Sequence, residues 1–373
     1  MKRFNCSRVR LVLIGIMAAI VLSGGKAIAD FSFGEPVNLG ATVNNSYDDA
    51  MPCMSPDGLE LYFCSNRPGG LGGNIYGDDL WVVRREMIYD DWGIPENLGP
   101  QVNSPMDDYS PCLSSDGLSL YFVTYKRPGG VGWADIWVAT RQTINDPWGN
   151  VTNLGAPVNT STNENEPSLS ADGLSLFFHS YRMGEVALYE AKRATIDDRW
   201  SQPHKLDPII DMAGWEGTPF ISSDGRLLLF SVDPTLKYNK QSNYDLFMTM
   251  RATAQSPWNT PVAMGGQINS PYADSMPCLS WDGATIYFAS NRPYGNASSW
   301  DIWQAPIIPI TDFNGDRIVD AEDMCIMVDH WGTDYSLCDI GPMPWGDGVV
   351  DVEDLKVLAE HLFEQLPGRP IQP

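Results

Sequence analysis

The sequence predicts an all-β propeller of five four-stranded blades, with an N-terminal strand closing blade five, followed by a small α-helical module built on calcium-type loops. Three observations predict it. A strand–turn–strand motif recurs five times, and its copies are followed by two further β-prone segments. One orphan copy of the last segment stands at the start of the chain, where it can complete a unit that lacks it. Near the C-terminus, oxygen-bearing residues recur at fixed offsets ahead of two amphipathic segments.

The first element is a leader. Lys2, Arg3, Arg8, Arg10 and Lys26 surround the apolar run 11–22, and Ala27-Ile28-Ala29 is a small-residue cleavage pattern. This is the layout of a secretion signal, expected to be cut near Ala29, and the run is too short to span a bilayer comfortably. Without residues 1–29 the chain keeps 19 bases against 47 acids, a net charge of −28. Such a surface repels phosphate, which excludes nucleic acid as a partner. No later run suggests a membrane span, so an exported, extracellular protein is expected.

The propeller is expected over residues 30–308. Its repeats share Pro-x-x-Ser-x-Asp-Gly, and the Asp-Gly pairs begin at 57, 116, 172, 224 and 282. Asp-Gly between β-prone stretches is a hairpin signal. A third strand follows at Asp79-Leu80-Trp81, Asp135-Ile136-Trp137, Leu188-Tyr189, Asp245-Leu246-Phe247 and Asp301-Ile302-Trp303. A fourth follows Trp92, Trp148, Trp200 and Trp258, whereas the fifth unit stops without one. The orphan Phe33-Gly34-Glu35-Pro36-Val37-Asn38-Leu39 matches the missing strand. Units of this size cannot bury both faces alone, so they must stack, and radial stacking closes a ring. Cys53, Cys112 and Cys278 share one repeat position and read as small buried apolar residues.

The C-terminal module is expected over 309–366, with a tail at 367–373. Asp312, Asn314, Asp316, Asp320 and Asp323 fall at loop positions 1, 3, 5, 9 and 12, with the Ile318 carbonyl at position 7. That spacing wraps a hard cation in oxygens, and Ca2+ is the expected cofactor. A second loop offers Asp347, the Val349 carbonyl, Asp351 and Asp354. It carries Met343 and Trp345 at positions 1 and 3, so it is short of oxygens unless Asp339 reaches in.

The repeats resemble the WD-like propeller repeats of TolB-type exported proteins, in the pattern Pro-x-x-Ser-x-Asp-Gly, Ser-x-Arg-x-Gly and Asp-Ile-Trp. The two loop–helix units resemble a type I dockerin, an EF-hand-like module with Asp at loop position 12. That resemblance implies calcium-dependent folding and docking onto a cohesin-type protein, usually within polysaccharide-degrading assemblies. It places the cohesin-facing pairs at Ala321-Glu322 and Val352-Glu353.

One candidate site lies in the propeller. Asp49, Asp108, Glu164, Glu216 and Asp274 each stand three residues before a repeat proline, and are expected to converge on one mouth of the axial channel. They read as a cation or sugar-hydroxyl site, with Asp49, Glu164 and Glu216 as candidate catalytic acids, or else as architecture repeated in every blade. Trp215 beside Glu216 reads as a sugar platform. His179 reads as a buried, satisfied histidine. Two functions from different classes follow: a secreted non-catalytic propeller binding carbohydrate or protein, or a glycoside hydrolase acting on polysaccharide through axial carboxylates.

Overall fold

The computed structural model describes residues 31–72, 77–212, 214–234, 243–294, 299–314, 318–333, 338–341 and 349–363. The leader and the tail lie outside the described residues. No helix among them is long and apolar enough to cross a membrane.

Five antiparallel sheets form the propeller. Blade one is Asp49–Met54, Glu60–Ser65, Asp79–Arg84 and Glu96–Asn97, and blade two is Asp108–Leu113, Ser119–Tyr125, Ala134–Thr140 and Gly149–Asn153. Blade three is Glu164–Leu169, Ser175–Ser180, Ala187–Lys192 and His204–Lys205; blade four is Trp215–Ile221, Leu227–Asp233, Asp245–Met250 and Val262–Ala263. Blade five has Asp274–Leu279, Thr285–Ser290 and Asp301–Pro309, and its fourth strand is Val37–Asn38, paired with Gln304 and Trp303. The N-terminal segment therefore closes the ring, as expected. The first strands of the five blades touch one another in cyclic order, which makes them the innermost strands.

The repeat residues explain the blade. Asp57 Oδ1 accepts the Leu59 N–H and the Ser55 hydroxyl, while Gly58 takes φ +71°, a turn conformation that costs glycine nothing. The same pair turns every hairpin. Second strands are sandwiched between neighbouring blades and are apolar on both sides: Phe63, Phe122, Phe178, Phe230 and Phe288 share one register and are fully buried. Each such ring contributes roughly 1.5–3 kcal/mol of burial. The tryptophans before the fourth strands are packing residues, since Arg85, Arg141, Arg193 and Arg251 lie 4.0–4.4 Å over Trp92, Trp148, Trp200 and Trp258.

Blades are latched by polar groups that repeat. Asn103 accepts the Leu80 N–H and donates to the Leu80 carbonyl, both at 3.0 Å, and Asn159, Asn269 and Asn44 do the same to Ile136, Leu246 and Ile302. The repeat cysteines do more than fill space. The Leu113 and Leu169 N–H groups donate to Cys53 Sγ and Cys112 Sγ at 3.3 Å, and Met54 N–H to Cys278 Sγ at 3.5 Å. In blade three Ser168 Oγ takes the same role towards Ile221 N–H, at 3.0 Å.

Residues 35–306 form one compact unit, and a second unit contains residues 31–34 and the described residues of 307–363. In that unit Phe31–Phe33 pairs with residues 307–309, and the helices Ala321–Asp329 and Val352–Glu360 pack together. Its core includes Val319, Met327, Ile340, Val350 and Leu358, and it buries Cys338.

Candidate functional site

Register fixes which loops share an end of the propeller. Asp49 pairs with Ser65 and Ser65 with Asp79, so the start of strands one and three and the end of strand two lie together. The same end gathers the loops that enter each blade, and the five repeat carboxylates belong to it.

Four of the five are held by their own blades. Asp49, Asp108, Glu164 and Asp274 are 0 % exposed. Each accepts the N–H of the residue four positions earlier, at 2.8 Å from Asn45, 2.6 Å from Ser104, 2.7 Å from Thr160 and 2.6 Å from Ser270. A hydroxyl on the second strand serves Asp108 and Glu164, from Thr124 at 2.5 Å and Ser180 at 2.8 Å. An arginine completes the set: Arg67 bonds Asp49, Arg292 lies 2.6 Å from Asp274, and Arg127 and Arg182 lie 3.7 and 3.6 Å from Asp108 and Glu164. These arginines also donate to the Val43, Val102, Val158 and Ile268 carbonyls, and each stacks on aromatic rings of its own blade. Burial raises the carboxyls of Asp49 and Asp108, the latter to about 6 despite these donors. This is the architectural arrangement.

Glu216 differs. It is 3 % exposed, its Oε1 has no hydrogen-bond partner, and neither a hydroxyl nor an arginine stands where the other blades have them; Val232 and Pro234 do. Burial, with the Asp211 charge nearby, pushes its carboxyl up to about 8.

Trp215 is half-buried rather than open. Its ring packs across Gly217, where a Cβ would fall 2.2 Å from it, and meets His179 and Tyr244 edge-on at 5.1 and 5.3 Å. His179 is buried and both its nitrogens are used. Asn165 Nδ2 lies 3.1 Å from Nε2 and Glu166 Oε2 lies 2.6 Å from Nδ1. Tyr109 OH donates to Asn165 Oδ1, which turns the amide NH2 to the ring and assigns the ring proton to Nδ1. Glu166 Oε2 also accepts the Thr218 N–H, so one hydrogen-bonded chain runs through blades two, three and four.

Among the described residues, the exposed aromatic groups of this end are Tyr47, Trp133, Tyr272 and Tyr294, carried by blade-entry loops and by loops between strands two and three. Lys126 Nζ lies 3.9 Å from the Trp133 ring. The sequence could have shown the entry-loop machinery through a second repeat, Asn-Leu-Gly-x-x-Val-Asn, present at 38–44, 97–103 and 153–159 and altered at 205–211.

In the C-terminal unit Asp320 and Asp351 cap the two helices, accepting the N–H of Glu322 at 2.7 Å and of Glu353 at 2.8 Å. Asp323 accepts the N–H groups of Phe313, Asn314 and Asp320, and Asp354 those of Ile340, Gly341 and Asp351. Burial raises both carboxyls. The matching bonds make Ile340 the counterpart of Phe313, and so put Asp339 in the place of Asp312. The second loop therefore runs from 339 to 354, four residues longer than 312–323, and Met343 is not its first position. Asp312, Asn314, Ile318 and Val349 are described; Asp316 and Asp347 lie outside the described residues. Among the described residues no three acidic, histidine or cysteine side chains converge as a metal cluster.

These features define a five-bladed β-propeller. No family model and no curated protein matches the chain. Among solved structures it is similar to TolB from Acinetobacter baumannii, at 14% identity over 79% of this chain and 68% of that one, TM-score 0.41. It is also similar to an arabinanase from Bacillus subtilis, at 12% identity over 72% and 96%, TM-score 0.48, and to an exo-1,5-α-L-arabinanase from a bovine ruminal metagenomic library, at 14% over 70% and 94%, TM-score 0.48. The chemistry of the site rests on the side chains above.

Proposed function

We propose that the chain is an exported, non-catalytic recognition protein whose propeller binds a carbohydrate chain, and whose C-terminal unit is a calcium-stabilised docking module for a cohesin-type partner. The observation that carries the first half is the saturation of Asp49, Asp108, Glu164 and Asp274 by donors of their own blades. Glycoside cleavage needs two carboxylates facing one bond across roughly 5–10 Å. Glu216, its carboxyl held protonated to about 8, could serve as a proton donor, but its cavity, about 10 Å³, holds on the order of one water and no sugar ring. Carbohydrate is favoured because the open rings of Tyr47, Trp133, Tyr272 and Tyr294 stand at one end of the propeller, and pyranose faces stack on such rings.

The docking half rests on the paired loop–helix units and their oxygen donors. Asp312, Asn314, Asp320, Asp323 and the Ile318 carbonyl would hold a calcium ion in the first loop together with Asp316. Asp339, Asp351, Asp354 and the Val349 carbonyl would hold one in the second together with Asp347. The ion would offset the mutual repulsion of these carboxylates.

Affinity electrophoresis on a panel of soluble polysaccharides tests the binding, with a reducing-sugar assay run beside it. Retardation by at least one polysaccharide, weakened about tenfold by Trp133→Ala or Tyr294→Ala without release of reducing ends, is expected. Release of reducing ends that Glu216→Gln abolishes would establish the hydrolase instead.

A further inference from the structure

Blade three meets blade four through different parts from the other four junctions. Elsewhere the third strand opens with Asp79, Asp135, Asp245 or Asp301, the entry loop turns at Gly40, Gly99, Gly155 or Gly265, and an Asn latches it to the preceding blade. Here those places hold Ala187, Asp207 and Asp211, while Val232 and Pro234 replace the hydroxyl and the arginine of the next blade. The changes meet in space. Ala187, Asp207, Asp211 and Glu216 line one cavity, open to solvent on one side.

The charges there do not balance. Asp211, at the latch position, accepts from Lys205 Nζ at 2.8 Å, and the same ammonium lies 2.8 Å from Glu185. Lys205 is thereby committed. Glu216 Oε1 is left buried at the cavity wall with no partner, in the blade that lacks its arginine.

We propose that this cavity binds a water-sized monovalent cation, the head of an alkylammonium group or a bare potassium ion, in the role that arginine plays towards the carboxylates of the other four blades. The volume, about 10 Å³, accepts one such centre. The remaining walls, Leu188, Leu206 and Ile210 with Ala187, suit the carbon attached to an ammonium nitrogen. A multivalent metal is a poor match, since Asp211 is taken by Lys205 and Asp207 by the Ile209 N–H, and among the described residues no three acidic, histidine or cysteine side chains are placed to hold one ion.

Thermal unfolding of the full chain tests this at constant ionic strength, constant calcium and mildly alkaline pH, where Glu216 is ionised. Methylammonium, potassium and tetramethylammonium chlorides are compared at equal concentration. Methylammonium or potassium should raise the propeller transition by a few degrees over tetramethylammonium, which is too large for the cavity. A larger shift with methylammonium identifies the alkylammonium head, and a larger shift with potassium the bare ion. Glu216→Gln should abolish the difference. Val232→Ser, which offers Glu216 the hydroxyl found in the other blades, should at least halve it in a folded protein. Equal shifts with all three salts, as ordered water alone would give, or an undiminished difference in either variant, would overturn the proposal.

Discussion

Glu216 loses its proton less readily in the folded protein than in the unfolded chain, because burial and the Asp211 charge raise its carboxyl from 4.5 to about 8. The sign follows from linkage: its contribution to stability is complete below the unfolded value and is lost as pH rises through about 8. Urea unfolding of Glu216→Gln across that range should therefore show a shallower fall in stability than the parent protein, and parallel curves would assign the alkaline loss to another group. The five carboxylates were legible in the sequence because each keeps a fixed distance from a repeat proline. Their meaning was not. The arginine that neutralises Asp49 lies 18 residues away, beyond a hairpin, and no spacing rule tells a clamped acid from an open one. The packing of Trp215 was hidden for a related reason, since nothing local announces that Gly217 lets the ring fold back over the chain.

At the scale of strands and loops, the inter-blade latch of cysteine sulfur to backbone N–H is open to substitution. Cys112→Ala strands the Leu169 N–H and should cost about 1–3 kcal/mol, a buried donor left without its acceptor. Cys112→Ser should cost less, because Ser168 already performs that role in the next blade; equal losses in chemical denaturation would reduce the sulfur to a space-filler. Deleting residues 31–39 removes the closing strand and should lower the melting temperature by many degrees, whereas an unchanged melt would deny the closure any energetic weight. Strand number and ring closure could be read in advance because a repeat with one part displaced to the far end of the chain has few other solutions. The second loop of the C-terminal unit could not be aligned that way. Its four extra residues shift the count, and only the paired bonds to Asp323 and Asp354 show that Asp339, not Met343, begins it.

For the whole chain, two compact units with different acids imply two independent responses. Chelation of calcium should unfold the C-terminal unit and leave the propeller transition in place, as followed by calorimetry; a single transition moved by chelator would refute the division. The propeller's own closure has a kinetic side. Asn38 bonds Asp301 across 263 positions of sequence, a loop whose closure costs on the order of 5 kcal/mol of chain entropy. A chain emerging N-terminus first delivers the closing strand before any of its partners exists, so that strand must wait, unpaired, until blade five has formed. Ring formation is then the last step rather than the first, and the exposed edges of the open ring during that interval, not the stability of the closed one, set how readily the protein aggregates while it folds.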